Sequence, residues 1–346
     1  MSKVNLLTIH WGGSYGGTMQ TYATVKILQR LGHDVKVINL VHPKTRFSNK
    51  RQKRPSLSAL LYDSNMDLRF TLFRKIHIGH FTKRMFEIKE HLIPESDYTI
   101  VGSDQVWNGD ITKPLDLAYF LNFVKKGEKV AFSSSFGKFK WESTDEYTQK
   151  VKHLLKDFKA IAVREESGVE ICKNTFDIEA KHVLDPTLVL GDYDKLVKGG
   201  KPSHKIFAFL FKKNKESKAI TEYISETLGL QVFKPNKIQS FTNASPIGWL
   251  KNMKNAEFII TDSFHGLAFS IIFHKKFVVL CADEKKFARL HSLLKLVNLE
   301  ERFVRSFDDI VVRQNMLKQE INYNKVDTVL ERERQKALAF LKEVLH

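Results

Sequence analysis

The sequence predicts an α/β protein made of two Rossmann-like domains, each built on a parallel sheet. Three observations carry this expectation. Short apolar runs of strand length alternate with amphipathic runs of helix length along most of the chain. The alternation is interrupted once, around residues 191–204, where G-G-K-P reads as a linker. The length, 346 residues, suits two domains of ordinary size. The expected organisation is a first domain over 1–190, a linker over 191–204, a second domain over 205–324, and a last helix over 325–346 that returns to the first domain.

The elements follow in order. Val4–His10 is apolar and reads as a strand, Trp11–Gly17 is a glycine-rich loop, and Thr18–Leu31 reads as a helix. Met19, Ala23, Ile27, Leu28 and Leu31 mark one face of that helix, and Gly32 supplies its stop. Val35–Leu40 is the next strand, which completes a βαβ unit. Lys44–Ser58 is polar and basic and reads as a loop, and Asp63–Phe86 is expected to be helical. Strands are expected at Tyr98–Val101, Lys129–Ser134 and Ala160–Val163, with a helix at Asp145–Asp157. In the second half, strands are expected at Ile206–Phe211 and Gln231–Lys234, with a helix over Glu216–Leu228 between them. Ser245-Pro246, in the preferred order of cap then proline, opens a helix to about Asn255.

Composition excludes several classes. The content of 42% hydrophobic and 27% charged residues describes a globular chain with ample core. The first residues lack the pattern of a secretory signal, and no run approaches the length of a membrane-spanning helix. Cys172 and Cys281 are far apart in apolar surroundings and read as reduced core residues. The 13 histidines show no convincing metal-ligand spacing, so no metal is expected. The glycine loop is not G-x-G-x-x-G, and no acidic ribose ligand ends the second strand, which argues against a dinucleotide cofactor.

The net charge is +17, and residues 44–90 carry 12 Lys/Arg against 4 Asp/Glu. No nucleic-acid motif accompanies this field. It suits either a solvated surface or an anionic membrane face. Lys50, Arg51, Lys53 and Arg54, beside aromatic Phe70 and Phe73, are the expected membrane contacts.

The most informative stretch is Phe258–Ala282. Two buried strands, Phe258–Ile260 and Phe277–Cys281, flank T-D-S-F-H-G and a helix. His265 therefore sits where the carboxyl end of a strand meets a helix N-terminus, the edge at which open α/β sheets take ligands. Free N–H groups there favour an anion, and a histidine beside a phosphate can move protons. The alternative is a structural histidine held by a backbone carbonyl.

Seven blocks occur in order: G-G-S-Y-G-G-x-x-Q-T-Y-A from residue 12, V-G-S-D-Q-V-W-N at 101–108, A-Y-F-L-N-F at 118–123, F-S-S-S-F-G at 132–137, V-R-E-E-S-G at 163–168, L-D-P-T-L at 184–188 and T-D-S-F-H-G at 261–266. Together they resemble the polysaccharide pyruvyl transferase family, to about residue 290. The resemblance implies two Rossmann-like domains facing a cleft, as in GT-B glycosyltransferases. It also implies transfer of a pyruvyl group from phosphoenolpyruvate, a co-substrate rather than a cofactor, to a saccharide, commonly as a cyclic ketal. It further implies acceptors commonly built on lipid carriers at the cytoplasmic membrane face, in keeping with the cytoplasmic protein that the two reduced cysteines suggest.

On this resemblance His265 is the acid/base candidate, or else a hydrogen-bond donor to phosphate. Arg164, Lys285, Lys286, Arg289 and Ser263 are candidates to hold phosphoenolpyruvate, because its carboxylate and phosphate both call for cations. Arg164 can instead pair with Glu165 or Glu166, and the lysines can be solvated. Asp104 can activate an acceptor hydroxyl or cap its own turn. Gly13, Tyr15, Gln20 and Trp107 are candidates for the acceptor side, with Trp107 stacking on a sugar or filling the core. Ser133, Ser134 and Ser135 show no hydrolase signature. Two competing readings are a sugar-nucleotide glycosyltransferase, for which no clear carboxylate pattern is seen, and a non-catalytic saccharide- or membrane-binding module.

Overall fold

The computed structural model describes residues 1–43, 57–233, 244–281 and 284–346, with the backbone alone for 57–64 and 284–287. The chain divides into two compact units, Met1–Leu190 with Glu333–His346, and Gly191–Arg332.

In the first unit the strands are β1 (Lys3–Leu7), β2 (Asp34–Val37), β3 (Tyr98–Val101), β4 (Glu128–Ser134), β5 (Phe158–Val163) and β6 (Lys181–His182). They form one parallel sheet in the order β2-β1-β3-β4-β5-β6. Helices α1 (Tyr15–Arg30), α2 (Leu57–Phe73), α3 (Gly109–Thr112), α4 (Asp145–Lys156), α5 (Glu166–Ile171) and α6 (Pro186–Leu190) connect them. All four residues of β3 are buried, as a strand covered on both faces must be. Trp107 stacks on Phe120 at 5.5 Å and meets Phe136 at 5.0 Å in the core of this unit.

In the second unit β7 (Ser203–Phe209), β8 (Gln231–Val232), β9 (Ala256–Thr261), β10 (Lys276–Leu280) and β11 (Phe303–Val304) form a parallel sheet in the order β11-β10-β9-β7-β8. Renumbered within the unit, this order is 2-1-3-4-5, as in the first unit. The helices are α7 (Lys215–Leu228), α8 (Pro246–Asn255), α9 (Phe264–Ile272), α10 (Glu284–Leu296) and α11 (Phe307–Val312), while α12 (Tyr323–Val344) begins in this unit and belongs to the first from Glu333 onward. Local chemistry sets their ends. Asn214 and Ser217 form a capping box at α7, and the Ser245 hydroxyl accepts from the Gly248 N–H at 2.9 Å to cap α8.

Three expectations change. The helix expected over 63–86 ends as a π-turn over Arg74–Ile78, where Gly79 takes a φ of 86°. Residues 80–85 then run extended beside β2: Val37 N–H donates to the His80 carbonyl and Thr82 N–H to the Val37 carbonyl, each at 2.9 Å. Phe70 and Phe73 are interior residues, packed on Tyr15 and Tyr22 of α1, so neither is offered to a membrane. The stretch read as a linker belongs to the second unit: Tyr193, Leu196 and Val197 are buried, Tyr193 lies edge-on to Phe269, and β7 begins at Ser203. The basic residues Lys50, Arg51, Lys53 and Arg54 lie outside the described residues.

Gly266 has no room for a side chain. A Cβ there would fall on the Thr261 side chain at the strand–helix junction. Gly266→Ala is therefore expected to destabilise the protein by about 1–3 kcal/mol through overpacking. Calorimetric unfolding at an unchanged midpoint would show that the junction relaxes freely.

Candidate active site

The order 2-1-3-4-5 places a topological switch point between β1 and β3 in the first unit, and between β7 and β9 in the second. Ligands of open α/β sheets bind at the strand carboxyl ends beside such points. The chemistry-bearing motifs fall on these two edges.

In the second unit, β9 ends at Thr261, whose hydroxyl donates to the Phe209 carbonyl at 2.9 Å. Asp262 does not cap α9. Its carboxylate accepts from the Phe211 and Lys212 N–H groups at 2.7 and 2.9 Å, tying the loop after β7 to the loop after β9. Ser263 is the cap, its hydroxyl accepting from Gly266 N–H at 3.3 Å. His265 lies in the first turn of α9 and is 7% exposed, with Phe264 edge-on at 5.3 Å. A cavity of about 50 Å³ beside Asp262 is lined by Lys212, Asn214, Cys281 and Arg305 among others, and Lys212 and Arg305 are exposed. Arg289 on α10 is half-buried, and the side chains of Lys285 and Lys286 lie outside the described residues.

In the first unit, four motifs build one buried polar network. Arg164 follows β5 and is 4% exposed. Its Nε donates to Glu165 Oε1 at 2.9 Å and its Nη1 to Asp185 Oδ2 at 3.1 Å. Ser103 donates to Asp185 Oδ2 at 2.8 Å, Ser135 to Glu165 Oε1 at 2.8 Å, and Thr187 to Asp185 Oδ1 through both its hydroxyl and its N–H. Burial pulls the Arg164 pKa down, but Glu165 and Asp185 more than offset it and hold the group above its ordinary value.

This geometry corrects three site expectations. Arg164 is engaged by two carboxylates inside the first unit, so its geometry is that of a structural residue and not of an open phosphoenolpyruvate contact. Trp107 is 2% exposed and donates its indole N–H to the Tyr119 carbonyl at 2.9 Å, which makes it core and not a sugar platform. Gln20 is fully buried, with its amide nitrogen 3.0 Å from the Ile9 and Gly17 carbonyls; it pins the glycine loop and does not face an acceptor. Gly13 and Tyr15 remain half-exposed, with Gly13 against Met66 of α2. Asp185, in the L-D-P-T-L block, had no role assigned from the sequence, although its motif was the available signal.

Asp104 lies at the β1/β3 switch point. Its backbone φ is 77°, an unfavourable region for a non-glycine residue, and Ser133 beside it on β4 has a φ of 58°. Asp104 Oδ1 accepts from the N–H of Gln105 at 2.9 Å, and the residue is half-exposed. His10, at the end of β1, is fully buried. Its Nδ1 is 3.1 Å from the Thr8 carbonyl and its Nε2 3.0 Å from the Asn39 side chain. Burial, with the charges of Arg74 and Arg84, outweighs those contacts and lowers the His10 pKa to about 4. A neutral ring carries a single N–H, so it donates either from Nδ1 to the Thr8 carbonyl or from Nε2 to Asn39 Oδ1.

The family model for polysaccharide pyruvyl transferases matches residues 15–280. The chain belongs to that family and is a transferase of polysaccharide biosynthesis. No curated protein matches it significantly. Among solved structures, a protein from Listeria monocytogenes given as a candidate UDP-N-acetylglucosamine 2-epimerase is 8% identical with a TM-score of 0.50, over 98% of this chain and 95% of that one. A functionally uncharacterised protein from Klebsiella pneumoniae is 14% identical with a TM-score of 0.49, over 87% and 93%. MurG from Acinetobacter baumannii is 12% identical with a TM-score of 0.42, over 99% of both chains. At 8% identity the likeness to the Listeria protein is one of fold, and the two parallel sheets of this chain are the α/β class expected from the sequence.

Two outcomes are expected from this geometry. Arg164→Ala should destabilise the protein by about 3–5 kcal/mol, because it leaves two buried carboxylates without their cation. An equally stable variant that lost only donor affinity would return Arg164 to the donor site. The second outcome concerns pH. The folded state holds His10 neutral down to about pH 4, whereas the unfolded chain takes a proton near its ordinary value of about 6.5. Stability present above that value is thus lost as pH falls toward 4, by roughly 3 kcal/mol at most. His10→Gln should flatten that part of a urea-derived stability profile, and an unchanged slope would assign it to other groups.

Proposed function

We propose that the protein transfers the pyruvyl group of phosphoenolpyruvate to a saccharide, closing a cyclic pyruvate ketal on a polysaccharide precursor. The observation that carries this reading is His265, in the first turn of α9 at the second switch point and within the family-matched region. The exposed cations Lys212 and Arg305 at the same edge support an anionic donor there. Lys285, Lys286 and Arg289 on α10 are further candidates.

The reaction needs few groups. A proton reaches the methylene carbon of phosphoenolpyruvate, and the neighbouring carbon becomes electrophilic. A sugar hydroxyl adds there, the C–O bond to phosphate breaks, and a second hydroxyl closes the ketal. The acceptor gives up two hydroxyl hydrogens, of which one is balanced by the new methyl hydrogen and the other leaves with phosphate. His265 is the proposed acid, with Ser263 beside it as a phosphate contact. Asp104, half-exposed in a strained turn, is the proposed base for the acceptor hydroxyl.

A cytoplasmic site of action against an anionic membrane face is part of the proposal, because the charge of residues 44–90 suits such a surface. Among the described residues no helix is long and apolar enough to cross a membrane.

The test is incubation with phosphoenolpyruvate and a panel of lipid-linked oligosaccharides, following phosphate release and product mass. His265→Ala should cost about a hundred- to ten-thousandfold in turnover with the fold retained. Near-normal turnover in a folded variant would remove His265 from the chemistry. Turnover with UDP-sugars instead of phosphoenolpyruvate would replace the whole reading.

A further inference from the structure

At the carboxyl ends of β1 and β2, within the first unit, lies a cavity of about 240 Å³ lined by His10, Asn39, Thr71, Arg74, Lys75 and Phe81 among others. It belongs to neither the Arg164 network nor the His265 edge. No carboxylate is among its lining residues, and among the described residues none lies within ion-pairing distance of Arg74 or Lys75; Asp67 acts on Arg74 only from farther off, against the like charge of Arg84. Arg74 is held by carbonyls, its Nη1 donating to His10 and Gly12 oxygens at 3.1 and 3.2 Å. Carbonyls fix a guanidinium without neutralising it. Burial accordingly lowers the Arg74 pKa to about 10.

We propose that this cavity is an oxyanion site that takes a phosphoryl group. A phosphoryl oxygen set matches what the wall offers, namely a fixed guanidinium, a mobile ammonium and the Thr71 hydroxyl, and it brings the negative charge that no residue of the wall supplies. The inference does not rest on the pyruvyl reading, since the cavity shares no residue with the proposed donor edge. Two sources of the phosphoryl group are distinguishable. On α2 and the turn that follows it, Leu68, Leu72 and Ile76 are 57%, 45% and 69% exposed at four-residue spacing. That apolar stripe adjoins Thr71 and Lys75 of the cavity, so a phosphate carried on a hydrocarbon chain would find both of its parts accommodated. A soluble phosphate ester would use the cavity alone.

The experiment is a titration of the full chain with inorganic phosphate and with hexyl phosphate, against chloride at equal ionic strength, read by calorimetry and by the NMR signals of the His10 ring. Phosphate is expected to shift those signals to saturation while chloride does not. Lys75→Gln should weaken the response about tenfold or more, as loss of a charged hydrogen bond does, and Arg74→Gln should abolish it. Should Arg74→Gln unfold the loop it ties, Lys75→Gln carries the test alone, because Lys75 is exposed and makes no structural hydrogen bond among the described residues. Tighter binding of hexyl phosphate than of inorganic phosphate, lost in Leu72→Gln, would identify a lipid-borne phosphate. Equal binding of the two would identify a soluble ester, and either result upholds the site. No shift of the His10 signals at saturating phosphate, or an unchanged affinity in Lys75→Gln, would overturn it.

Discussion

The buried Arg164–Glu165–Asp185 network is the constraint on which the first unit depends. One guanidinium faces two carboxylates where almost no water reaches, and a lone charge at such a depth would be prohibitive. The excess negative charge is met by donors: hydroxyls from Ser103, Ser135 and Thr187, and the Thr187 N–H. These donors come from the ends of β3 and β4 and from the start of α6. The network therefore fixes four loop ends relative to one another. The same four ends carry G-S-D-Q, S-S-S-F-G, V-R-E-E and L-D-P-T, so most of the motifs that mark the family in this half hold one edge in shape.

The second unit solves the corresponding problem with less charge. Asp262 takes two N–H groups from the loop after β7, Thr261 donates back to Phe209, and Gly266 lets α9 start directly against the strand. This leaves the first turn of α9 rigid, with the imidazole of His265 in it. Both units thus share a strand order and hold their strand carboxyl ends by buried side chains, across the β7/β9 switch point in the second unit and across β3, β4 and β5 in the first. What differs is the chemistry beside each switch point: exposed Lys212 and Arg305 in the second unit, and in the first the half-exposed carboxylate of Asp104.

Much of this was legible in the sequence. Alternating strand and helix patterns gave the fold class, and Ser245-Pro246 and the T-D-S-F-H-G block located two helix starts closely. What stayed hidden was pairing through space. Asp185 reaches Arg164, twenty-one residues away in sequence, because β5 and β6 pair in register, Val163 against His182. Nothing local to either residue announces that partner. Gln20 reads as a polar position on a helix, yet it is enclosed by the loop it stabilises. Phe70 and Phe73 look available beside basic residues, but α1 presents Tyr15 and Tyr22 to cover them. The helix expected through Phe86 had its stop at Gly79, and the return along β2 depended on a free sheet edge that no local pattern records.

The backbone at Asp104 sets its carboxylate apart from the two that hold Arg164. Glu165 and Asp185 are committed to Arg164 and are shut away from solvent, so neither can exchange a proton with a substrate. Asp104 sits one layer outward, half-exposed, in a left-handed conformation that costs on the order of 1–3 kcal/mol at a non-glycine residue. Its carbonyl accepts from Val106 and from Ser135, which locks the turn against β4. A simple cap would not require that strain, since an aspartate in an ordinary turn caps equally well. The conformation is held by those two backbone bonds and by the Gln105 N–H that its own carboxylate accepts. Ser135 joins the two layers, its N–H donating to the Asp104 carbonyl and its hydroxyl to Glu165, so the half-exposed carboxylate keeps a fixed place above the buried network, as the base proposed for an acceptor hydroxyl must.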